Sequence, residues 1–193
     1  MNPCGIGLAD NLSAAFKRAY DADPISIFGG IIACNREVDK ATAEQMHEIF
    51  LEIVMAPSFT EEAVEVLTQK KNIRLLELSG MDESDDVQKI TTVKGGILVQ
   101  TQDDGQVTEA DLQVVTDRTP TEEELKDLLF TWKAVKHVKS NAIVLGKNQQ
   151  TIGIGAGQMN RVGAAKIAIE QAGEAANGAV LASDAFFPMP DTV

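Results

Sequence analysis

The chain of 193 residues sets 17 Lys and Arg against 29 Asp and Glu, giving a formal net charge of −12 and a sequence pI near 4.6. That balance argues against a nucleic-acid surface, which needs clustered cations, and the acid spread over helical faces reads as solubility. With 44% hydrophobic and 24% charged residues, the chain can bury a core without disulfides or metals.

In chain order, "DNLSAAFKRAYDAD" reads as a helix with Leu12, Ala15, Phe16, Ala19 and Tyr20 on one face, capped by Asp10 or Asn11 and closed by Pro24. "ISIFGGIIACN" follows as a buried strand broken by Gly29-Gly30. "KATAEQMHEIFLE" is a second helix, with Ala43, Met46, Ile49 and Phe50 at helical spacing. "IVMAP" is a strand stopped by Pro57, and "TEEAVEVLTQKK" a helix capped by Thr60, with Lys70 and Lys71 complementing its dipole. "IRLLEL" is a strand. The alternation α-β-α-β-α-β predicts a layered α/β sheet.

The texture then changes. "SGMDESDDVQ" and "TQDDGQVTEADLQ" read as loops around the strand-like "ITTVKGGILVQ". This places a first subdomain at 1–84, a connecting segment at 85–119 and a second subdomain at 120–193. "PTEEELKDLLFTWKAVKHVKS" is a strong helix, with Pro120 and Thr121 in its first turn and a stripe of Leu125, Leu128, Leu129, Trp132, Val135 and Val138. "NAIVLGKN" and "TIGIGAG" are strands joined at Asn148-Gln149. A helix over Met159–Ala176 and the strand "AVLAS" complete the pattern.

The run "TIGIGAGQMNR" puts Gly153, Gly155 and Gly157 before a helix. Its spacing misses the dinucleotide fingerprint G-x-G-x-x-G, and no Gly-Lys-Ser/Thr follows for a Walker loop. Two readings stay open. The glycines admit a ligand to free N–H groups at a helix start, with Arg161 for an anion, or they form a tight connection packing helix on sheet. His47 and His137 read as packing and surface residues, and no G-x-S-x-G elbow is present. "SDAFFP" sets an Asp and two aromatics at a strand end, where open α/β sheets bind ligands; an apolar plug is the other reading. Cys4 and Cys34 form no CxxC pair, so no zinc site is expected. They fit a reducing compartment, and with no apolar run of membrane length a cytoplasmic location is expected. The abrupt ends "MNPCGIG" and "PMPDTV" read as cuts.

"NPCG", "AYDADPISIFGGIIACNREVD", "VMAPSFTEEAVEVL", "WKAVKHVKSNAIVLGKNQQTIGIGAGQMNRV" and "GAVLASDAFFPMPD" occur in this order. Together they resemble, over nearly the whole chain, the transformylase domain of the bifunctional purine-biosynthesis family that joins AICAR transformylase to IMP cyclohydrolase. The resemblance implies an internal fragment of a three-layer α/β/α fold, with parts of two cytidine-deaminase-like units. It implies formyl transfer from the cosubstrate 10-formyltetrahydrofolate to the amine of AICAR ribotide, without a catalytic metal, in a homodimer with sites at the subunit interface. Matched motif by motif, Gly29, Glu52, Asn141, Arg161 and Phe186 fall on AICAR contacts, with Asn141 and Arg161 supplied by the partner subunit. Val162 and Asp191 fall on the folate side.

There are departures. The family's Lys-His pair lies upstream of Asn-Pro-Cys-Gly, whereas this sequence starts at Met1-Asn2, and "FFPMPD" lacks a Phe-Arg seen in some relatives. The His is the family's proton acceptor and the Lys stabilises the transition state. Loss of a general base costs about 10²–10⁴-fold, so the chain alone is expected to be nearly inactive. The alternative expectation is a non-catalytic module that binds a nucleotide or partner on the same scaffold.

Overall fold

The computed structural model describes residues 2–78 and 88–192, and its architecture is α/β. Its first part runs α1 (Leu12–Ala22), β1 (Gly30–Ala33), α2 (Lys40–His47), β2 (Leu51–Ala56), α3 (Glu61–Leu67) and β3 (Arg74–Glu77). The three strands pair in parallel in the order β1-β2-β3, as the alternation predicts. Each helix begins where a short polar side chain accepts an orphan N–H: Asn11 from Ala14, Asp39 from Thr42 and Thr60 from Ala63. Of the two caps open for α1, Asn11 is the one used.

Three elements are shorter than their patterns predict, each for a tertiary or turn reason. The strand expected from Ile25 starts only at Gly30, because Asp23 Oδ1 accepts from both Ile25 and Ser26 N–H and winds the chain into turns. The second helix stops at His47 instead of reaching Glu52. The carbonyls of Ile49 and Phe50 are claimed by Lys70 Nζ at 2.7 Å and Gly29 N–H at 2.8 Å, so Leu51 and Glu52 open β2. Lys70 therefore serves Ile49 from beyond α3, which ends at Leu67.

This sheet is covered on one face. Val54 and Ala56 are fully buried under Ala43, Met46, Ala63 and Leu67. On the other face Ile31 and Leu76, paired in register with Ile53 and Met55, remain 42% and 41% exposed.

The expected loop "SGMDESDDVQ" lies outside the described residues except for Gln88. "ITTVKGGILVQ" is two strands rather than one: β4 (Gln88–Val93) and β5 (Gly96–Thr101) form an antiparallel hairpin turning at Lys94-Gly95, exposed throughout.

The last part holds α4 (Glu122–Val135), β6 (Ile143–Lys147), β7 (Gln150–Gly155), α5 (Arg161–Ala172) and β8 (Val180–Ser183). Thr121 and Glu124 close a capping box on α4. Strand β6 lies between β7 and β8, antiparallel to both. Residues 6–8 run beside β7, with Thr151 N–H on Ile6 O at 3.0 Å and Leu8 N–H on Gln149 O at 2.9 Å. The β6–β7 turn holds Asn148 and Gln149 at φ 53° and 56°, and the Asp127 carboxylate accepts both their N–H groups.

Helices cover both faces of this sheet. Ala134, Val135 and Val138 pack on Ala142, Val144 and Ala182, while Ala164, Ala165, Ala168 and Ala172 of α5 pack on Ile143 and Leu145. The stripe of α4 is rotated from the expected one: Thr131 is fully buried and Trp132 is 48% exposed. The α-helix expected over Met159–Ala176 runs Arg161–Ala172 and then tightens into a 3₁₀ turn over Gly173–Ala176.

Candidate functional site

The glycine run divides between its two open readings. A Cβ on Gly153 would lie 2.0 Å from Ala168 O, and one on Gly155 would lie 1.9 Å from Ala164 O. Those two glycines let the α5 backbone settle onto β7, which is the packing reading. The turn after them does the rest. Gly157, at φ 66°, swings the chain away from β7, and Asn160 caps α5 by accepting Gly163 N–H at 2.7 Å. Arg161 thereby becomes the first residue of the helix.

Its guanidinium is the centre of a polar cluster. Arg161 Nη1 donates to Asp184 Oδ1 at 2.6 Å and Ser183 Oγ at 2.9 Å, and Nη2 donates to Asn141 Oδ1 at 3.0 Å. Asn141 Nδ2 donates in turn to Gln158 O at 2.8 Å, and the two residues also exchange backbone bonds. The register explains the meeting. Ile143, at the start of β6, pairs with both Gly155 and Ser183, the last residues of β7 and β8. Asn141, Arg161 and Asp184 therefore leave the sheet together at one end.

The Arg161 side chain is only 9% exposed, and among the described residues its Nε is buried without a partner; Asp184 is 17% exposed. Burial by itself raises the Asp184 carboxyl, but hydrogen bonds from Ser140, Ala142 N–H and Arg161, with the guanidinium charge, win and hold it below its ordinary value. A carboxylate stabilised in this way is a poor proton acceptor. The cluster holds a guanidinium in one pose at a helix start, an arrangement suited to orienting a polar group.

The strand-end reading of "SDAFFP" includes Asp184, but no motif assigns Ser183 or Asp184 a contact of its own. Two residues on, Phe186 is 79% exposed, a ring available for stacking. Val162 follows Arg161 in the first turn of α5, and Asp191 lies in the short turn Pro190–Thr192.

Gly29 and Glu52 belong to the other sheet. Gly29 takes φ 70°, a conformation that favours glycine, with its N–H on Phe50 O. Glu52 is exposed on β2. Beside them Phe28 and Phe50, at a centroid distance of 5.2 Å, are 74% and 47% exposed. One chain thus carries the predicted contacts as two groups, one on each sheet.

Among the described residues no group of three or more His, Cys, Asp or Glu could hold a metal, and no helix is long and apolar enough to cross a membrane. Hollows of about 440 and 460 Å³ lie near Lys147 and near Arg18, and none of the predicted contacts lines either. Cys4 and Cys34 are free, and burial pushes the Cys34 thiol up to about 11.

A model of the AICARFT/IMPCHase bienzyme family matches residues 1–171. The chain belongs to that family. It is 68% identical over all its 193 residues to the bifunctional purine biosynthesis protein PurH of Oceanobacillus iheyensis. It is 64% identical to the PurH of Anoxybacillus flavithermus and 63% to that of Bacillus cereus. In each case it spans 38% of the relative's length.

Proposed function

We propose that this chain supplies part of the transformylase site of a bifunctional purine-biosynthesis enzyme. There, formyl passes from 10-formyltetrahydrofolate to the 5-amino group of AICAR ribotide, and the product cyclises to IMP in another part of the protein. The observation that carries this reading is the Arg161–Asn141–Asp184 cluster beside an exposed Phe186, in a chain of this family. In this reading Asn141, Arg161 and Phe186 hold the AICAR heterocycle and its polar substituents, and Gly29 and Glu52 contact the same ligand. Val162 and Asp191 face the folate.

The enzyme works as a homodimer in this reading. Support comes from the separation of the predicted contacts between two sheets, which suits a site completed by a second copy. No metal takes part, and the protein works in the cytoplasm. Residues 1–193 alone transfer formyl negligibly, since the amine needs a proton acceptor. Asp184 is tied up, and neither His47 nor His137 hydrogen-bonds into the cluster through its imidazole among the described residues.

Calorimetric titration of AICAR ribotide into the full-length protein, with inorganic phosphate as control, tests the reading. Saturable binding of the ribotide that phosphate does not reproduce supports it. Equal responses to the two sink it.

A further inference from the structure

We infer that Asp184 is the positioning residue shared by three of the AICAR contacts, an inference that rests on the reading above. One oxygen, Oδ1, accepts Ala142 N–H at 2.8 Å and Arg161 Nη1 at 2.6 Å. The backbone answers, with Asp184 N–H donating to Ala142 O at 3.3 Å. The carboxylate therefore fixes the peptide that follows Asn141 and the guanidinium that grips the Asn141 side chain. It also fixes the chain two residues before Phe186. Three segments far apart in sequence converge on it: the start of β6, the first turn of α5 and the exit of β8.

Ser183 completes the clamp by accepting Arg161 Nη1 while its own hydroxyl donates to Ala185 O at 2.7 Å, which ties down the backbone next to Phe186. Asp184 acts on the ligand only through these neighbours. Because both Arg161 η nitrogens are held inside the cluster, the pose of the guanidinium is set before any ligand arrives, which is the preorganisation that binding sites need. A displacement of about 1 Å in such a frame can cost about 100-fold in rate. Removing the charge while keeping the shape leaves the guanidinium without its counter-ion and frees all three contacts together.

The experiment measures AICAR ribotide and folate KM in the full-length protein for Asp184→Asn, Arg161→Met and the double variant. Asp184→Asn is expected to raise the AICAR ribotide KM about 10- to 100-fold and leave the folate KM within about twofold. Because part of the effect of Asp184 runs through Arg161, the double variant is expected to lose less than the product of the two single losses, whereas independent roles would multiply. Asp184→Glu, which restores the charge, is expected to recover part of the loss. Should Asp184→Asn not fold, Asp184→Glu carries the test: a several-fold rise in the AICAR ribotide KM alone supports the assignment, and a wild-type KM overturns it. An unchanged AICAR ribotide KM in a folded Asp184→Asn protein, or full multiplicativity with Arg161→Met, also overturns it. If Arg161→Met itself leaves the AICAR ribotide KM unchanged, the AICAR reading fails first and this inference falls with it.

Discussion

The two main sheets of this chain carry the same class of expected ligand contact in opposite physical settings. The β7-β6-β8 sheet is closed by α4 on one face and α5 on the other, and its contacts are locked by an ion pair and a network of hydrogen bonds. The β1-β2-β3 sheet is closed on one face only, and its contacts are a half-buried Gly29 just before β1 and an exposed Glu52 on the central strand β2, beside an exposed aromatic pair. The lesson is that the expected contacts at the end of the β7-β6-β8 sheet are held in place by their neighbours in the chain, whereas among the described residues Glu52 is left exposed to solvent.

The comparison is broken most severely at Gly155. Gly155→Val drives a side chain into the Ala164 carbonyl, 1.9 Å from where its Cβ would sit. It should cost about 3 kcal/mol, read as a fall in the denaturant midpoint. A loss below 1 kcal/mol would mean that α5 does not pack as closely as described. Asp127→Ala removes the acceptor of two turn N–H groups and should cost about 2 kcal/mol. In the half-covered region the corresponding device is the Thr60 cap, and Thr60→Ala should cost about 1 kcal/mol.

Acid sharpens the contrast further. The Asp184 carboxyl titrates below its ordinary 3.8, so its stabilisation is present above that value and is lost as pH falls through the lowered one. Acid unfolding of Asp184→Asn should lack that limb, and a curve parallel to wild type would remove the ion pair from the account. The smallest effect belongs to the open face of the first sheet. Ile31→Thr, at a site 42% exposed, should move stability by less than about 0.5 kcal/mol.

Much of this was legible in the sequence, and the reasons for the misses are local. The alternation in the first part, the cap Thr60, a cap at Asp10 or Asn11, and the turn at Asn148-Gln149 all follow from patterns that short-range chemistry enforces. The element ends did not follow. Helix α2 is cut short because Lys70 and Gly29, remote in sequence, claim the carbonyls of Ile49 and Phe50. In α4, Thr131 takes the buried place against Gly146, whose missing side chain leaves room for it, and Trp132 is half exposed. In the candidate site, the motifs pointed to Arg161 and Asn141, which the structure brings together. The roles of Ser183 and Asp184 were not legible in them, because they depend on register: only the pairing of Ile143 with both Gly155 and Ser183 brings β8's exit to the helix start.

Amide hydrogen exchange of the full-length protein, with and without AICAR ribotide, tests the central claim most directly. The account predicts added protection at 139–144, 157–163 and 183–187, the three segments that meet at Asp184. Protection elsewhere with those three segments unchanged would contradict it.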